Sequence, residues 1–445
     1  MNILEAYAKK LTIAEGVYAK EHGNRSLSES KKLAIARVLA NTSEYLTEAF
    51  DNSVGTQLSN MKTFKKFCLD LTTVALPNLI ANDLVIVYPL KSRTGFIQYL
   101  QFTAGSNKGG VKQGDVFNDV FHLGQMTDER VTYTSAFVPE TITTDGEGKA
   151  TLKWTPVRDV KLIDEDSGAT VEVIDAEKGE IKVTGAASST VKVGYIYDNI
   201  VIPQNDLPIV NAHMEGMPLA AKARRIAIYY SQMAAFQAKT EMGIDLGEVL
   251  ATQACAELSY EIDTEIVKLL ADNAHEEADL TFDKKLPVGV GKRDHYAGFS
   301  EIIELASQHI YDRTQKHAAN YMICASNVKP VLALVEGWKA ASTSKINGPY
   351  FAGELNGIKV FVSPAIKPGR FIMGYNGDDM MTSAAVYAPY MAIVPTQLLQ
   401  FADGSNSQGF STLYDLKMLN DRLLVAGEVI DTTKAAETAT AVVRG

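Results

Sequence analysis

The segment from Gly105 to Gly114 has the composition of a phosphate-binding loop, with four glycines and two lysines among ten residues. A nucleotide-binding loop also needs Lys-Ser or Lys-Thr, because the lysine reaches the phosphates and the hydroxyl binds magnesium. Here a glycine follows Lys108 and a glutamine follows Lys112. The segment therefore predicts a projecting or mobile polar loop and no nucleotide site.

Two histidine arrangements raise the question of metal or acid–base chemistry. His309 and His317 lie eight residues apart on a predicted helix, whereas a chelating pair lies four apart. Asp294 adjoins His295, but adjacent side chains on a regular element do not face each other, and no serine in a GxSxG elbow accompanies them. We expect solvated histidines at 309 and 317 and a polar loop around 294.

Charged residues near the centre of the chain do not indicate chemistry either. Glu257, Glu261 and Glu265 recur every four residues on one flank of a predicted helix, without the aspartate-rich spacing of a calcium loop. They predict a solvated or interface face. The pair Arg224-Arg225 is a weak signal for nucleic-acid binding. We therefore expect no catalytic residue, cofactor or metal.

Composition narrows the class of protein. The 445 residues are 46% hydrophobic and 22% charged, which predicts a globular chain of two or three domains. The three cysteines, Cys68, Cys255 and Cys324, form no CxxC pair, so a reducing compartment is expected. A net charge of -10 disfavours a subunit that grips DNA through its phosphates.

No segment reads as a membrane anchor or a secretory signal. Apolar runs such as Leu84 to Val87 fall far short of the roughly 18 residues that span a bilayer. The first residues mix both charge signs and lack a continuous apolar core. The sequence predicts a cytoplasmic protein.

The chain up to about residue 60 predicts helices that form an N-terminal arm. Ser26 or Ser28 can cap a helix whose apolar residues recur at helical spacing, namely Leu33, Ala36, Leu39, Leu46 and Phe50. The arm either packs on its own subunit or reaches a neighbour. Beyond it, residues 79–90 and 95–104 are β-branched and aromatic runs around a polar turn, which predicts two strands.

Residues 138–205 form a compositional island of short alternating strands. Five runs, such as TVEVID and TVKVGYIYD, are separated by turn residues, which predicts a small antiparallel β domain with Trp154 in its core. The next segment, 219–230, fits a helix or a strand equally well.

A long helix follows. Asp245 can cap a helix to about Asn273, roughly 40 Å at ~1.5 Å per residue. Its apolar residues recur every four positions and are Leu250, Ala254, Leu258, Ile262, Ile266 and Leu270. A charged loop is expected at 276–296 and a helix at 298–317. Strands and short helices then alternate up to about 395, which predicts an α/β domain.

Three blocks of this sequence resemble the capsid proteins of T-even-like tailed phages. The first contains PNLIANDLV at 77–85, then Pro89 and Thr94-Gly95. The second runs from AKARRIAIYY through GIDLGEVLATQACAELSYEID and makes 219–230 a strand. The third includes YMICASNVKPVLA, GIKVFVSP and the Tyr-Ala-Pro-Tyr at 387–390. Together the blocks cover roughly two-thirds of the chain in family order.

The resemblance implies a fold and a domain map. The expected fold is α+β, of the tailed-phage Hong Kong 97 type, with an inserted small antiparallel β domain. The implied parts are an N-terminal arm (1–60), a peripheral domain with a spine helix at about 246–273 (61–90 and 206–300), an extended loop (91–137), the inserted domain (138–205), an axial domain (301–409) and a return to the peripheral domain (410–445).

The resemblance also implies a function: a major capsid protein that assembles as hexamers and pentamers around double-stranded DNA, without sequence-specific binding or a membrane. Scaffolding, portal and decoration proteins are the expected partners, and the virion is the expected location. Inter-subunit contact is expected from the extended loop at Gly105, Lys108, Gly109, Gly110, Lys112 and Gly114. Two alternatives stay open, an encapsulin-like compartment shell and a carbohydrate-binding protein using Trp154.

Overall fold

The computed structural model describes residues 3–21, 25–51, 58–106, 113–114, 137–163, 169–185, 188–197, 209–314, 316–341, 348–377, 380–396 and 398–432. The chain divides into two compact units. One comprises Met1–Ile97 and Gly216–Gly445, and the other is Gln98–Glu215. The second unit is therefore an insertion in the sequence of the first.

The described helices are α1 Ile3–Ala6, α2 Ala8–Glu21, α3 Glu29–Asp51, α4 Leu58–Asn78, α5 Ala81–Leu84, α6 Gln232–Gln237, a π-helical turn Ala238–Met242, α7 Leu246–Asp272, α8 Lys292–Ala297, α9 Phe299–Thr314, α10 Lys329–Leu332, and 3-10 turns Met380–Thr382 and Asp421–Leu423. None of these helices is both long enough and apolar enough to cross a bilayer.

The described strands are β1 Ile86–Val87, β2 Thr94–Ala104, β3 Phe137–Thr143, β4 Lys149–Thr151, β5 Val157–Leu162, β6 Thr170–Asp175, β7 Glu180–Thr184, β8 Thr190–Tyr197, β9 Val210–Ala220, β10 Lys222–Ser231, β11 His275–Asp283, β12 Tyr321–Cys324, β13 Trp338–Ala340, β14 Tyr350–Leu355, β15 Ile358–Val362, β16 Arg370–Gly374, β17 Ala385–Pro395, β18 Leu399–Gln400, β19 Ser405–Met418 and β20 Leu424–Ile430. Helices and sheets are mixed, so the expected α+β class is confirmed.

The N-terminal helices follow the predicted pattern with one exception. Ala36 and Leu39 of α3 are fully buried and Leu46 is nearly so, whereas Leu33 is 46% exposed. Leu33 instead lies on a helix face that borders a cavity. The Ser28 hydroxyl accepts a long 3.5 Å hydrogen bond from the Lys31 amide at the start of α3.

The prediction of a strand from residue 79 onwards was wrong. Residues 81–84 form α5, and in the run 79–90 the strand is limited to Ile86 and Val87. A distant acceptor explains the difference, because the Ile80 amide donates to the buried Asp263 carboxylate of α7 at 3.1 Å. A side chain 183 positions away in the sequence therefore supplies a partner for this turn. β1 pairs in parallel with β17, and β2 pairs with β9, so the two runs form no hairpin.

Two sheets organise the first unit. In one, the strand order is β1-β17-β19-β10, with β18 added to the end of β19. In the other, the order is β11-β20-β16-β12-β15-β14-β13. β12, whose four residues are all buried, pairs in parallel with β15 and antiparallel with β16. This sheet combines strands from 275–283, 321–374 and 424–430. Its pairings therefore cross position 410, where the expected axial domain ends and the return to the peripheral domain begins.

The region expected to be a loop at 276–296 also differs from the prediction. Residues 275–283 form β11, which pairs in parallel with β20, and residues 292–297 form α8. Glu276 and Asp279, two of the charged residues that suggested a loop, are exposed on β11, while Leu280 and Phe282 are buried. Edge strands carry charge on their solvent side, which hides their pattern from a composition-based assignment.

The second unit contains the predicted small antiparallel β domain. Two three-stranded sheets, β3-β8-β5 and β4-β7-β6, enclose one core. Its buried members are Ile142, Leu152, Val157, Ile181, Val183, Val191, Val193, Tyr195 and Tyr197. Trp154 is partly buried against this core and stacks on Tyr197 with ring centroids 5.4 Å apart. Its indole therefore has a packing role.

Candidate inter-subunit surfaces

The predicted long helix is α7, and its apolar face is buried inside its own unit. Asp245 caps it as expected, accepting hydrogen bonds from the Gly247 and Glu248 amides at 3.0 and 3.3 Å. Four of the predicted spine residues, Ala254, Leu258, Ile262 and Ile266, are buried. The fifth, Leu250, is half-buried.

The helix packs on the sheet that contains β10, β17 and β19. Its N-terminal half forms a cluster with Ile393 of β17 and Phe410 of β19, against which Ile226 and Ile228 of β10 pack. Alternate β10 residues point to opposite faces of the sheet, so the even-numbered ones cover α7. A close approach occurs at the start of α7, where a Cβ on Gly247 would lie 2.9 Å from the Tyr230 hydroxyl.

A polar network also joins α7 to the sheet. The Arg224 guanidinium donates to the Glu265 carboxylate at 2.7 Å, and the Tyr414 hydroxyl donates to the other oxygen of that carboxylate. Burial raises the pKa of Tyr414, and the neighbouring Glu265 carboxylate adds to this effect. Glu265 is therefore bound within the unit, whereas Glu257 and Glu261 are exposed. The expected solvated face holds for the latter two only.

A buried carboxyl group fixes the C-terminal half of α7. Asp263 is 7% exposed and accepts the Ile80 amide. Burial raises the pKa of Asp263 well above its usual range, although hydrogen bonds from the backbone of Ile80 and Ala81 oppose the shift. This group ties the helix to the α4–α5 connection.

The segment that precedes α7 presents a different surface. Neither α6 nor the π-helical turn has a single buried residue. Within 229–249, six large apolar side chains are more than 40% exposed, namely Tyr229, Met233, Phe236, Met242, Ile244 and Val249. We call these six residues the 229–249 patch. An exposed apolar group of this size is typical of an interface with another protein.

The end of the neighbouring strands extends this apolar surface. Ser407 of β19 pairs with Tyr229 of β10 on one side and with Leu399 of β18 on the other. Residues paired in this way point to the same face of a sheet. Tyr229 is 69% exposed and Leu399 58% exposed, and Phe401 beyond them is 48% exposed. Tyr229, Leu399 and Phe401 therefore present apolar side chains to solvent at this end of the sheet.

Of the six loop residues predicted to contact a neighbouring subunit, only Gly105 and Gly114 are among the described residues. Lys108, Gly109, Gly110 and Lys112 lie outside the described residues. In the second unit, the Gly105 amide donates to the Ile209 carbonyl at 2.7 Å, and a Cβ there would lie 2.8 Å from the Ile209 side chain.

The other described glycine of this loop, Gly114, has a conformation that favours glycine. Its φ is +96°, and its amide donates to the Ala104 carbonyl at 2.8 Å. Gly105 and Gly114 therefore form the base of the loop. Close backbone approach and positive φ are the two reasons for glycine at these positions.

The histidines have structural partners. The ring of His309 lies 2.7 Å from the Asp279 carboxylate. His317 stacks on Tyr375 with centroids 4.4 Å apart, and burial lowers its pKa. Both side chains are half-buried, so neither histidine is the fully solvated residue that was expected.

The Asp294-His295 pair gives no catalytic couple. The His295 ring lies 2.8 Å from the Asp283 carbonyl and stacks on Phe282. Among the residues that the structure describes, no group of three or more His, Cys, Asp or Glu could hold a metal. The three cysteines are buried and unpaired, and burial raises the pKa of each thiol to about 12.

Sequence reasoning missed the 229–249 patch. Its six residues span an ambiguous strand, a short helix, a π-helical turn, the connection that follows it and the first turn of α7, so no single periodicity marks them. One signal was available, because QMAAFQAKTEM places Met233 and Phe236 beside small or polar residues only, with no large apolar partner between Phe236 and Met242.

Comparisons with known proteins indicate one class of protein, the major capsid proteins of phages. The family model described as major capsid protein Gp23 matches residues 61–443. The major capsid protein of Enterobacteria phage T4 is 25% identical over 397 residues, covering 77% of this chain and 73% of that protein. The major capsid protein of Vibrio phage KVP40 is 24% identical, with 77% and 74% covered.

Solved structures give a weaker likeness. A chain from Microbacterium phage Oxtober96 is 10% identical, with 79% of this chain and 91% of that chain covered and a TM-score of 0.39. A chain from the capsid of Myoviridae phage XM1 is 10% identical, with 65% and 90% covered and a TM-score of 0.35.

Proposed function

The chain belongs to the Gp23 major capsid protein family, and from this premise we propose that its copies form the hexamers and pentamers of an icosahedral head around double-stranded DNA. It is a structural capsid protein of tailed phages, and its relatives carry the name major capsid protein. Self-association is the activity of such a subunit. The compartment-shell and carbohydrate-binding alternatives are not favoured.

The exposed 229–249 patch is the observation that supports a contact between subunits. Its residues are exposed in the isolated chain, and α6 and the π-helical turn have no buried residues to hold them against the unit. Burial of a large apolar side chain stabilises an interface by about 1.5–3 kcal/mol. Six such side chains suffice for a contact that many copies make at the same time.

The remaining parts have proposed roles that follow the domain map. α7 and its sheet act as the rigid rod of the peripheral domain, and the seven-stranded sheet supports the axial domain at the centre of each ring. Rings close through heterologous contacts, in which two different surfaces meet. The 229–249 patch is one such surface.

The extended loop at 91–137 is proposed to lie across a neighbouring subunit. Gly105 and Gly114 at its base adopt conformations that bring strands close together, and exposed strand edges add to a neighbour's sheet. The inserted domain, with its own core, reinforces the outer surface or clamps an adjacent subunit. Scaffolding, portal and decoration proteins are the proposed partners, and assembly takes place in the host cytoplasm.

Electron microscopy of the purified full-length chain tests the proposal. We expect hexamers, tubes or closed particles, alone or with a co-expressed scaffolding protein. In the double variant Met233→Ser, Phe236→Ser we expect assembly to fail while the subunit stays folded. Tyr311→Ser is the matched control, because Tyr311 is 47% exposed on α9, away from the patch in sequence.

Two results would contradict the proposal. A wild-type chain that remains monomeric at high concentration with scaffold present would exclude self-assembly. Particles of normal shape from the double variant would exclude the patch as a contact and leave the family function untouched.

A further inference from the structure

The strand β11 connects α7 to the seven-stranded sheet, and its pairing with β20 is interrupted. β11 begins two residues after α7 ends. Glu276 pairs with Ala426 and Thr281 pairs with Glu428, so residues 277–280 lie opposite a single residue of β20. We call residues 277–280 the β11 bulge. A bulge interrupts the regular ladder of main-chain hydrogen bonds, so this part of the connection depends on other contacts.

The backbone of the β11 bulge packs closely on β20. A Cβ on Gly427 would lie 2.6 Å from the Leu280 carbonyl oxygen, so this position requires glycine. Leu280 itself is fully buried, and the Thr281 hydroxyl donates to the Ala278 carbonyl at 3.3 Å. Leu280 therefore anchors one end of the bulge, and the contacts of the acidic side chains hold the rest.

Two basic side chains of α9 hold the acidic side chains of the bulge. The Arg313 guanidinium donates to the Glu277 carboxylate and, at 3.4 Å, to the Leu424 carbonyl of β20. The Nε2 atom of His309 lies 2.7 Å from the Asp279 carboxylate and donates to it, because an ionised carboxylate only accepts. His309 and Arg313 are four residues apart and therefore lie on one face of α9.

The charged groups around His309 are all placed by described elements. Residues 275–314 and 421–432 are described without a gap. Beyond the bulge, four charged side chains lie on the strands and the turn that pack against this part of α9, namely Arg370 of β16, Glu428 of β20, and Asp421 and Arg422 of the 3-10 turn. Arg370 lies 2.9 Å from Glu276, and Asp421 lies 3.5 Å from the His275 ring. The charged residues of α8 lie beside the first turn of α9, ~15 Å along the helix from His309.

The contact made by His309 depends on pH, whereas the contact made by Arg313 does not. A guanidinium stays charged throughout the pH range in which proteins are folded. An ordinary imidazole loses its charge as the pH rises through about 6.5. The hydrogen bond from His309 lowers the pKa of Asp279, so this carboxylate stays ionised across the same range. The ion pair therefore exists at acidic pH, and at alkaline pH only a hydrogen bond from a neutral ring remains.

We propose that the β11 bulge is a pH-sensitive latch on the connection between α7 and the seven-stranded sheet. With His309 protonated, α9 holds the bulge by charge at both Glu277 and Asp279. With His309 neutral, the attraction at Asp279 is lost and Arg313 alone holds the bulge by charge, so the bulge opens more often. The latch goes beyond the proposed function, because it sets the mobility of the subunit whether or not the subunit assembles.

Hydrogen exchange of the full-length, unassembled chain tests the latch. Exchange of the peptide 275–283 is measured by mass spectrometry at pH 5.5 and pH 8, and each rate is divided by the intrinsic rate of an unfolded peptide at that pH. The side chains of His309 and Asp279 are 29% and 51% exposed, so we expect about two- to fivefold greater protection at pH 5.5, the effect of an exposed ion pair. The difference should shrink in high salt.

Two variants remove the charge from either side of this ion pair. His309→Gln keeps a hydrogen-bond donor without the charge, and Asp279→Asn removes the carboxylate. Neither side chain is buried, so the subunit should stay folded. In each variant we expect equal protection of the bulge at the two pH values. The matched control is His275→Gln, which removes the other histidine of β11, outside the bulge, and should keep the wild-type difference.

Four results would overturn the latch. They are equal protection of the wild-type bulge at the two pH values, greater protection at pH 8, a pH difference that persists in either His309→Gln or Asp279→Asn, and loss of the difference in His275→Gln. All of these measurements use the unassembled subunit. The latch and the proposed assembly can therefore fail independently.

Discussion

Two adjacent segments of the first unit, α6 with its π-helical turn and α7, have opposite environments. α7 has ten buried residues, whereas the eleven residues from 232 to 242 have none. Both segments are helical, and both contain large apolar side chains. The difference teaches that the apolar residues of α7 stabilise the single subunit, while the segment before it leaves its apolar side chains exposed, as the proposed contact requires. Substitutions in the two segments should therefore differ in their effect on the stability of the unassembled subunit.

The largest loss of stability is expected from Ile266→Ala. Ile266 is fully buried on α7, and truncating such a side chain costs about 2–5 kcal/mol through lost burial and the cavity that remains. Urea unfolding of the subunit measures the change. Val249→Ala, on the 51% exposed side of the same helix, is the control and should cost less than about 0.5 kcal/mol. Equal losses in the two variants would refute the contrast.

A pH-dependent effect is expected at Asp263. Because burial raises its pKa in the folded state, the protonated form favours folding, and this contribution is lost as the pH rises above the pKa of the unfolded chain. Asp263→Asn carries no ionisable group there. The free energy of unfolding should therefore fall less between pH 5 and pH 8 in the variant than in the wild type. Asp272→Asn, exposed on the same helix, should keep the wild-type slope, and parallel slopes for Asp263→Asn would contradict the assignment.

A smaller coupling is expected between Arg224 and Glu265. Their side chains are 38% and 42% exposed, and ion pairs at such positions contribute about 0.2–1 kcal/mol. A double-mutant cycle with Arg224→Gln and Glu265→Gln, measured by urea unfolding, gives the coupling energy. A value above about 2 kcal/mol would show that this network, and not the apolar face, holds α7 on the sheet.

The smallest change in subunit stability is expected from Phe236→Ser, although its effect on assembly is large. Phe236 is 67% exposed, and substitutions at such positions change stability by within about 0.5 kcal/mol. Light scattering with scaffold present should show impaired particle formation. A destabilisation of several kcal/mol would mean that the side chain belongs to the subunit core.

Local sequence determined several elements of this protein. The four-residue spacing from Leu250 to Ile266 and the cap at Asp245 determine α7, because a helix needs one apolar face and a partner for its first amides. Alternating residues and turn chemistry likewise determine the β strands of the inserted unit. The three blocks that resemble T-even-like capsid proteins indicated the family, which no single motif could do.

Only the tertiary structure decided the rest. The helical turn at 81–84 accompanies a hydrogen bond from the Ile80 amide to Asp263, and the charged strand β11 exists because β20 pairs with it. A cleft beside α3 brings together residues from positions 31, 37, 91 and 359. Such features depend on groups that are distant in sequence and meet only when the chain folds, so no local pattern records them.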